Sequence, residues 1–244
     1  MVFPKDKLII GSWICSNSPV ISECLSLCGF DFLTIDVEHA PIDIEGAFNL
    51  LQAIKSGNNS CKALVRVSGN SYAEIKRYMD AGADGIICPL IKTEDEAKEL
   101  INAVKYPPIG KRGVGYSRSN KYGMELKESL ANDNDSTFVC VQIEHIKAIE
   151  NLDNILSLTG IDAAIIGPYD LSSSMNLAGE LDHPDMEDAI DYNLKTCLSK
   201  DVLPGIHVVD PDPDQVKHRI KQGYQFLAYS VDITMLSTLS REGL

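Results

Sequence analysis

The chain has 244 residues, 44% of them hydrophobic and 23% charged, with a formal net charge of −13. That length holds one large α/β domain or two small ones, and no linker, composition shift or low-complexity stretch divides it. The acidity excludes a nucleic-acid partner, because no basic stripe is present to displace counterions from a phosphate backbone. No apolar run reaches membrane-spanning length, so no membrane partner is expected either.

Met1 to Lys7 is short and charged, with no apolar segment behind it. The seven cysteines fall in no CxxC or Cys/His metal spacing, and the expectation is a reduced, cytoplasmic protein. Strand-like apolar runs follow at Leu8–Cys15, Phe32–Asp36, Ala63–Val67, Gly85–Pro89, Phe138–Glu144, Ala163–Gly167, Leu203–His207 and Phe226–Val231. Amphipathic stretches separate them, among them Pro19–Cys28, Ile44–Ser56, Tyr72–Ala81, Glu94–Tyr106, Met186–Ser199 and Pro213–Gln222. N-cap or first-turn residues such as Asp43, Ser71 and Thr93 open these helices, and Gly29, Gly57, Gly82 and Gly223 close them. Eight strand–helix units in this length predict a closed (β/α)8 barrel spanning residues 1–244, not an open doubly wound sheet.

In such a barrel, chemistry belongs at the C-terminal ends of the strands. Trp13, near the end of strand one, is read as a wall of the barrel mouth. Strand two ends in Asp36-Val37-Glu38-His39-Ala40-Pro41, where His39 suits a general base. Arg66 interrupts the apolar strand three and must find an anion, either a structural partner or a substrate. After the fourth unit a Gly/Pro-rich segment, Tyr106–Gly123, is too long for an idle connection and is expected to be a lid over the strand ends. Strand five ends in Gln142-Ile143-Glu144, and strand six runs into Gly167-Pro168-Tyr169-Asp170. Two carboxylates, Glu144 and Asp170, from separate strand ends suit a hard divalent cation with positions left for water and substrate. His207, at the end of strand seven, reads as a core histidine, while His145, His183 and His218 read as solvent-facing. Ile233, Met235, Leu236 and Leu239 form an apolar face on the last segment, which predicts an oligomer.

The set Asp36-x-Glu38-His39-Ala40-Pro41, Arg66, Tyr106-Pro107-Pro108-x-Gly110-x-Arg112-Gly113, Gln142-x-Glu144 and Ile166-Gly167-Pro168-x-Asp170-Leu171-Ser172 resembles the HpcH/HpaI aldolase family, in order, from about Gly11 to about Leu239. The resemblance implies a TIM barrel of the phosphoenolpyruvate/pyruvate type. It further implies a class II aldolase that cleaves 2-keto-3-deoxy or 4-hydroxy-2-oxo acids, and a hexamer or trimer of dimers that exchanges C-terminal helices. By position it makes Glu144 and Asp170 ligands of a divalent ion (Mg2+, Mn2+ or Co2+) and Gln142 their neighbour. His39 becomes the acid/base and Arg66 the group at the substrate keto oxygen. An Asp partner for His39 is also implied, with Asp36 and Asp80 both in suitable positions. Gly167, Pro168 and Tyr169 would form the turn that receives the pyruvyl carboxylate. Tyr169 stands where the family has a small residue, and Tyr229-Ser230-Val231-Asp232 departs from a glycine-containing pattern. No lysine lies inside a strand interior, which speaks against imine chemistry. Competing readings are another lyase or mutase of pyruvate-handling barrels, such as an acyl-CoA C–C lyase or a phosphonate mutase, and a catalytically silent barrel.

Overall fold

A computed structural model of the chain describes residues 2–244; Met1, which begins the charged N-terminal segment, lies outside them. Eight parallel strands pair in chain order and close, β8 returning onto β1. They are β1 (Ile9–Ile14), β2 (Phe32–Asp36), β3 (Lys62–Arg66), β4 (Gly85–Cys88), β5 (Phe138–Ile143), β6 (Ala163–Ile166), β7 (Leu203–Val208) and β8 (Phe226–Val231). The surrounding helices are α1 (Pro19–Ser26), α2 (Ile44–Gly57), α3 (Tyr72–Asp80), α4 (Glu94–Val104), α5 (Leu126–Ser136), α6 (Ile146–Glu150), α7 (Leu152–Leu156), α8 (Pro168–Ser174), α9 (Pro184–Ser199), α10 (Pro213–Gln222) and α11 (Asp232–Glu242). The predicted (β/α)8 architecture is the observed one.

Because side chains alternate across a strand, each strand sends every second residue inward. Phe32, Leu64, Ile87, Phe138, Cys140, Ile165 and Phe226 fill the barrel interior. Their neighbours Leu33, Val65, Ile86, Val139 and Ala164 pack outward against the helices. The lower layer is aromatic. Phe32 stacks on Phe226 at 4.4 Å, and Phe3 from the N-terminal segment meets Phe138 edge-on at 5.0 Å. Gly11 makes room for this layer, since a Cβ there would sit 2.4 Å from the Phe32 ring.

The same parity fixes what stands at the upper rim. Trp13 follows Ile9 inward on β1, Asp36 follows Phe32 on β2, and Arg66 follows Leu64 on β3. On β5, Gln142 follows Cys140. The strand that buries its hydrophobic residues below therefore presents its polar one to the barrel mouth above.

Register is pinned from the opposite end. Asp31, Asp84 and Asp162 each precede an even-numbered strand, and each carboxylate accepts an amide of the preceding odd strand: Ile10 at 2.8 Å, Ala63 at 2.7 Å and Val139 at 2.8 Å. Each satisfies a donor at the sheet's lower edge. Capping supports the helices: Asp43 accepts from Gly46 N at 2.8 Å, and Thr93 with Glu96 forms a reciprocal capping box.

The segment Tyr106–Gly123 does not lie where a lid was expected. It follows α4, not β4, so it is a helix-to-strand connection, and such connections enter the next strand from its N-terminal side. Within this chain it is clamped along α3. Arg112 donates to Asp80 Oδ1 at 2.8 Å and lies over the Tyr106 ring at 4.6 Å, while Arg118 donates to the Ala81 carbonyl at 3.2 Å. None of its residues lines the cavity at the strand ends. It continues into α5, a helix the sequence barely signals, because Ser129 is its sole buried residue.

Candidate active site

The barrel mouth holds a cavity of about 120 Å³, lined by Trp13, His39, Arg66, Gln142, Asp170 and His207 with the Gly167-Pro168-Tyr169 turn. That is room for several waters, or one small acid.

Arg66 and Asp36 make its rigid side. Arg66 Nε donates to Asp36 Oδ1 at 3.0 Å and Nη2 to Asp36 Oδ2 at 2.7 Å, a two-pronged pair on neighbouring strands. The Asp36 carboxylate also accepts the amides of Glu38 and His39 at 3.1 and 3.2 Å, and the Cys15 thiol at 3.6 Å. Burial pushes the Asp36 carboxyl up, but the Arg66 hydrogen bond and charge, with the two amides, hold it below the usual range. The arginine is further fixed by Trp13, whose ring lies 4.1 Å beneath the guanidinium carbon. Trp13 in turn stacks on His207 at 5.0 Å and 7°.

His207 is the core histidine expected of it and also part of the cavity wall. Its Nε2 contacts the Ser230 carbonyl at 3.2 Å, yet the ring also faces the cavity. Withdrawal from water lowers its pKa to about 4, so it is neutral at pH 7. Ser230 adopts φ +53°, a left-handed conformation that favours glycine, and this gives physical meaning to the departure noted at the end of strand eight.

The acidic side is Glu144 with Asp170. Glu144 Oε1 accepts the Leu90 amide at 2.7 Å, and Oε2 accepts the Gln142 side-chain amide. Burial pushes the Glu144 carboxyl above the usual range. The Gln142 and Leu90 donors pull it back, and the negative charge of Asp170 pushes it up again. Asp170 stands in the first turn of α8, behind Gly167 at the N-cap and Pro168. A Cβ on Gly167 would come within 2.8 Å of Glu144 Oε2, so the absence of a side chain there lets the turn close on the carboxylate. Leu90, at φ +55°, is a contributor the sequence did not reveal, because a leucine carries no signal for left-handed backbone.

His39 sits at the rim with its side chain 65% exposed, and Glu38 Oε2 is 3.8 Å from its Nε2. Neither aspartate considered as its partner reaches the ring within this chain. Asp36 is committed to Arg66, and Asp80 lies at the far end of α3 on Arg112. Glu38, which the sequence reading had left within a motif without a role, is 3.3 Å from Arg66 Nε and so stands between the arginine and the histidine. Burial raises its carboxyl, opposed by Arg66.

Two polar atoms of this mouth, Trp13 Nε1 and Gln142 Oε1, have no hydrogen-bond partner among the described residues, and Glu38 Oε2 has ion-pair contacts but no hydrogen bond. Buried polar atoms cost stability unless something satisfies them, and a ligand in the mouth would supply such partners. Among the described residues no three His, Cys, Asp or Glu side chains converge as a closed metal cage. The Glu144/Asp170 pair is instead an open set of hard oxygen donors whose mutual repulsion a cation would relieve.

Comparison with known proteins places this arrangement. The profile of the HpcH/HpaI aldolase/citrate lyase family matches residues 10–238. A 2-dehydro-3,6-dideoxy-6-sulfogluconate aldolase of Pseudomonas putida is 34% identical over 96% of this chain and 90% of its own length. A 4-hydroxy-2-oxo-heptane-1,7-dioate aldolase of Shigella boydii is 36% identical over 93% of this chain and 86% of its own. The crystal structure of an HpcH/HpaI aldolase/citrate lyase family protein from Burkholderia cenocepacia superposes with a TM-score of 0.93 at 30% identity, covering 98% of this chain and 93% of that one. The chain belongs to the HpcH/HpaI aldolase/citrate lyase family.

Proposed function

We propose that this protein is a divalent-metal-dependent pyruvate aldolase that cleaves a 2-keto-3-deoxy or 4-hydroxy-2-oxo acid into pyruvate and an aldehyde. The observation that carries the reading is one small cavity lined by Arg66, which Asp36 and Trp13 fix, and by Asp170, with Glu144 held behind that lining by Gln142. The kinship with aldolases over nearly the whole chain favours this over an acyl-CoA lyase, a phosphonate mutase or a silent barrel.

Glu144 and Asp170 would hold the ion, with Gln142 orienting Glu144. When bound, a divalent ion such as Mg2+, Mn2+ or Co2+ supplies Lewis-acid stabilisation of negative charge on the keto acid. The residues of the chain divide the remaining work. The first-turn amides of α8 at Tyr169 and Asp170 precede the first intrahelical acceptor and would receive the pyruvyl carboxylate; Pro168 has no N–H to give. Arg66 donates toward the keto oxygen, where negative charge gathers as the C3–C4 bond breaks. His39 removes the C4 hydroxyl proton. The electron pair of the broken bond becomes the pyruvate enolate, the C4 carbon leaves as the aldehyde, and a proton delivered to C3 completes pyruvate. No lysine lines the cavity among the described residues, consistent with a route that needs no imine.

The proposal includes a cytoplasmic homo-oligomer, a hexamer or trimer of dimers. Association of copies, without the number, is supported by Ile233, Leu236 and Leu239, which stand 52%, 62% and 68% exposed on α11. The function is tested by measuring pyruvate release from a panel of such acids after chelator treatment. Activity restored by added Mg2+, Mn2+ or Co2+ supports it, and full activity without metal overturns it.

A further inference from the structure

Asp232 opens α11 directly behind β8, and it is buried. It does not line the mouth cavity. Cys15 N donates to its Oδ1 at 2.9 Å, Ser16 N to its Oδ2 at 3.0 Å, and the Ser16 hydroxyl also donates to Oδ2. A buried carboxylate is costly unless hydrogen bonds satisfy it, and here those bonds hold the end of β1. The ladder between β1 and β2 stops at Ile14 and Ile35. Cys15 and Ser16 follow that last pair, so their amides need acceptors from outside it. Asp232 supplies them from the other flank, where Val231 of β8 pairs with Trp13. One carboxylate thus ties the end of β8 to the end of β1.

That strand end reaches Arg66 by two routes. The first is the Cys15 thiol, which donates to Asp36 Oδ2 at 3.6 Å. The two oxygens of Asp36 are braced differently. Oδ1 accepts the Glu38 and His39 amides of its own loop as well as Arg66 Nε. Oδ2 carries the shorter prong, Arg66 Nη2 at 2.7 Å, and its other donor is that thiol. Burial and the negative charges of Asp36 and Asp232 push the thiol up to about 12, so at neutral pH it keeps the proton it donates. The second route is Trp13, two residues earlier on the same strand, whose ring lies 4.1 Å beneath the guanidinium carbon.

We propose that Asp232 is a positioning residue for the reaction: by holding the Cys15 and Ser16 amides it sets the Cys15 thiol against Asp36, and so keeps the Arg66 guanidinium aimed at the keto oxygen. The proposal rests on the aldolase reading above and adds to it a residue that never meets the substrate. Small displacements of a group that stabilises developing charge are expensive, and about 1 Å can cost about 100-fold in rate. The thiol is a weak donor, so the loss through this link is smaller, about ten-fold.

The test uses the full chain with Mn2+ as the ion. Exchange of pyruvate methyl protons with solvent reads enolisation. Calorimetry reads Mn2+ affinity, and then the binding of oxalate, a planar dianion resembling the enolate, to the Mn2+-loaded protein. Two variants are compared with the wild type. Asp232→Asn sets a carboxamide N–H against one of the two loop amides, and Cys15→Ala removes the thiol while leaving both amide bonds to Asp232 in place. Each should slow exchange and weaken oxalate binding by about ten-fold, with Mn2+ affinity unchanged. Wild-type exchange and oxalate affinity in either variant would overturn the proposal. So would a parallel loss of Mn2+ affinity, the mark of a mouth disordered as a whole. If Asp232→Asn does not fold, Cys15→Ala decides by the same readings. Exchange by the wild type with unchanged variants sinks this proposal alone, whereas no exchange by the Mn2+-loaded wild type sinks the aldolase reading beneath it.

Discussion

Replacing Asp36 by asparagine removes the charge that holds Arg66 while keeping the side chain's shape. The Asp36 side chain is 2% exposed and that of Arg66 12%, so solvent does little to screen the loss. Leaving one member of a buried ion pair alone costs about 3–5 kcal/mol. Two features reduce that here. The introduced carboxamide would retain an oxygen for the Glu38 and His39 amides, and Glu38 Oε2 remains 3.3 Å from Arg66 Nε. The expected loss of folding free energy is about 2–3 kcal/mol, read by urea titration at fixed protein concentration. The pH dependence adds a signature. The folded carboxyl titrates below the unfolded one, so its contribution is fully present above the unfolded pKa and disappears as pH falls through the folded value. The deficit of the variant should therefore be constant near neutrality and shrink in acid. In a double-mutant cycle with Arg66→Met, the two changes should be coupled by at least about 1 kcal/mol. A deficit below about 0.5 kcal/mol, within the range of ordinary surface substitutions, would refute the claim that this pair organises the mouth.

Three further outcomes are expected. His39→Ala should lower kcat by about 10²–10⁴-fold with metal affinity unchanged, and calorimetry showing weakened Mn2+ binding would move His39 into the ligand shell. Gly167→Ala places a Cβ within 2.8 Å of Glu144 Oε2, and displacing that carboxylate should weaken Mn2+ binding by about 10–100-fold; unaltered affinity would show that the turn has slack. Ser230→Gly relieves a left-handed residue whose buried hydroxyl has no partner, and should raise stability by about 1 kcal/mol, a gain of a few degrees in melting temperature. A lower melting temperature would show that the hydroxyl is satisfied after all.

What the sequence disclosed follows from periodicity. Apolar runs ending in polar residues located all eight strands, and inward parity then carried Asp36, Arg66 and Gln142 to one rim. What it concealed depends on direction and on distance. Tyr106–Gly123 looked like a lid because its composition says loop, while its position after a helix sends it to the other side of β5. Asp80 resembled a partner for His39 by motif, yet α3 carries it to Arg112, a pairing that no local spacing announces. The backbone amide of Leu90 and the carboxylate of Glu38 act through tertiary geometry, invisible to a one-dimensional pattern.

The central claim is that Glu144 and Asp170 hold a divalent ion with which Arg66 stabilises a pyruvate enolate. The most direct measurement is the exchange of pyruvate methyl protons with deuterated solvent, followed by NMR on metal-stripped and Mg2+-loaded protein and on Glu144→Gln. The account predicts exchange by the loaded wild type, and none by the stripped protein or by the loaded variant. Exchange at the wild-type rate in either of those two samples would contradict it.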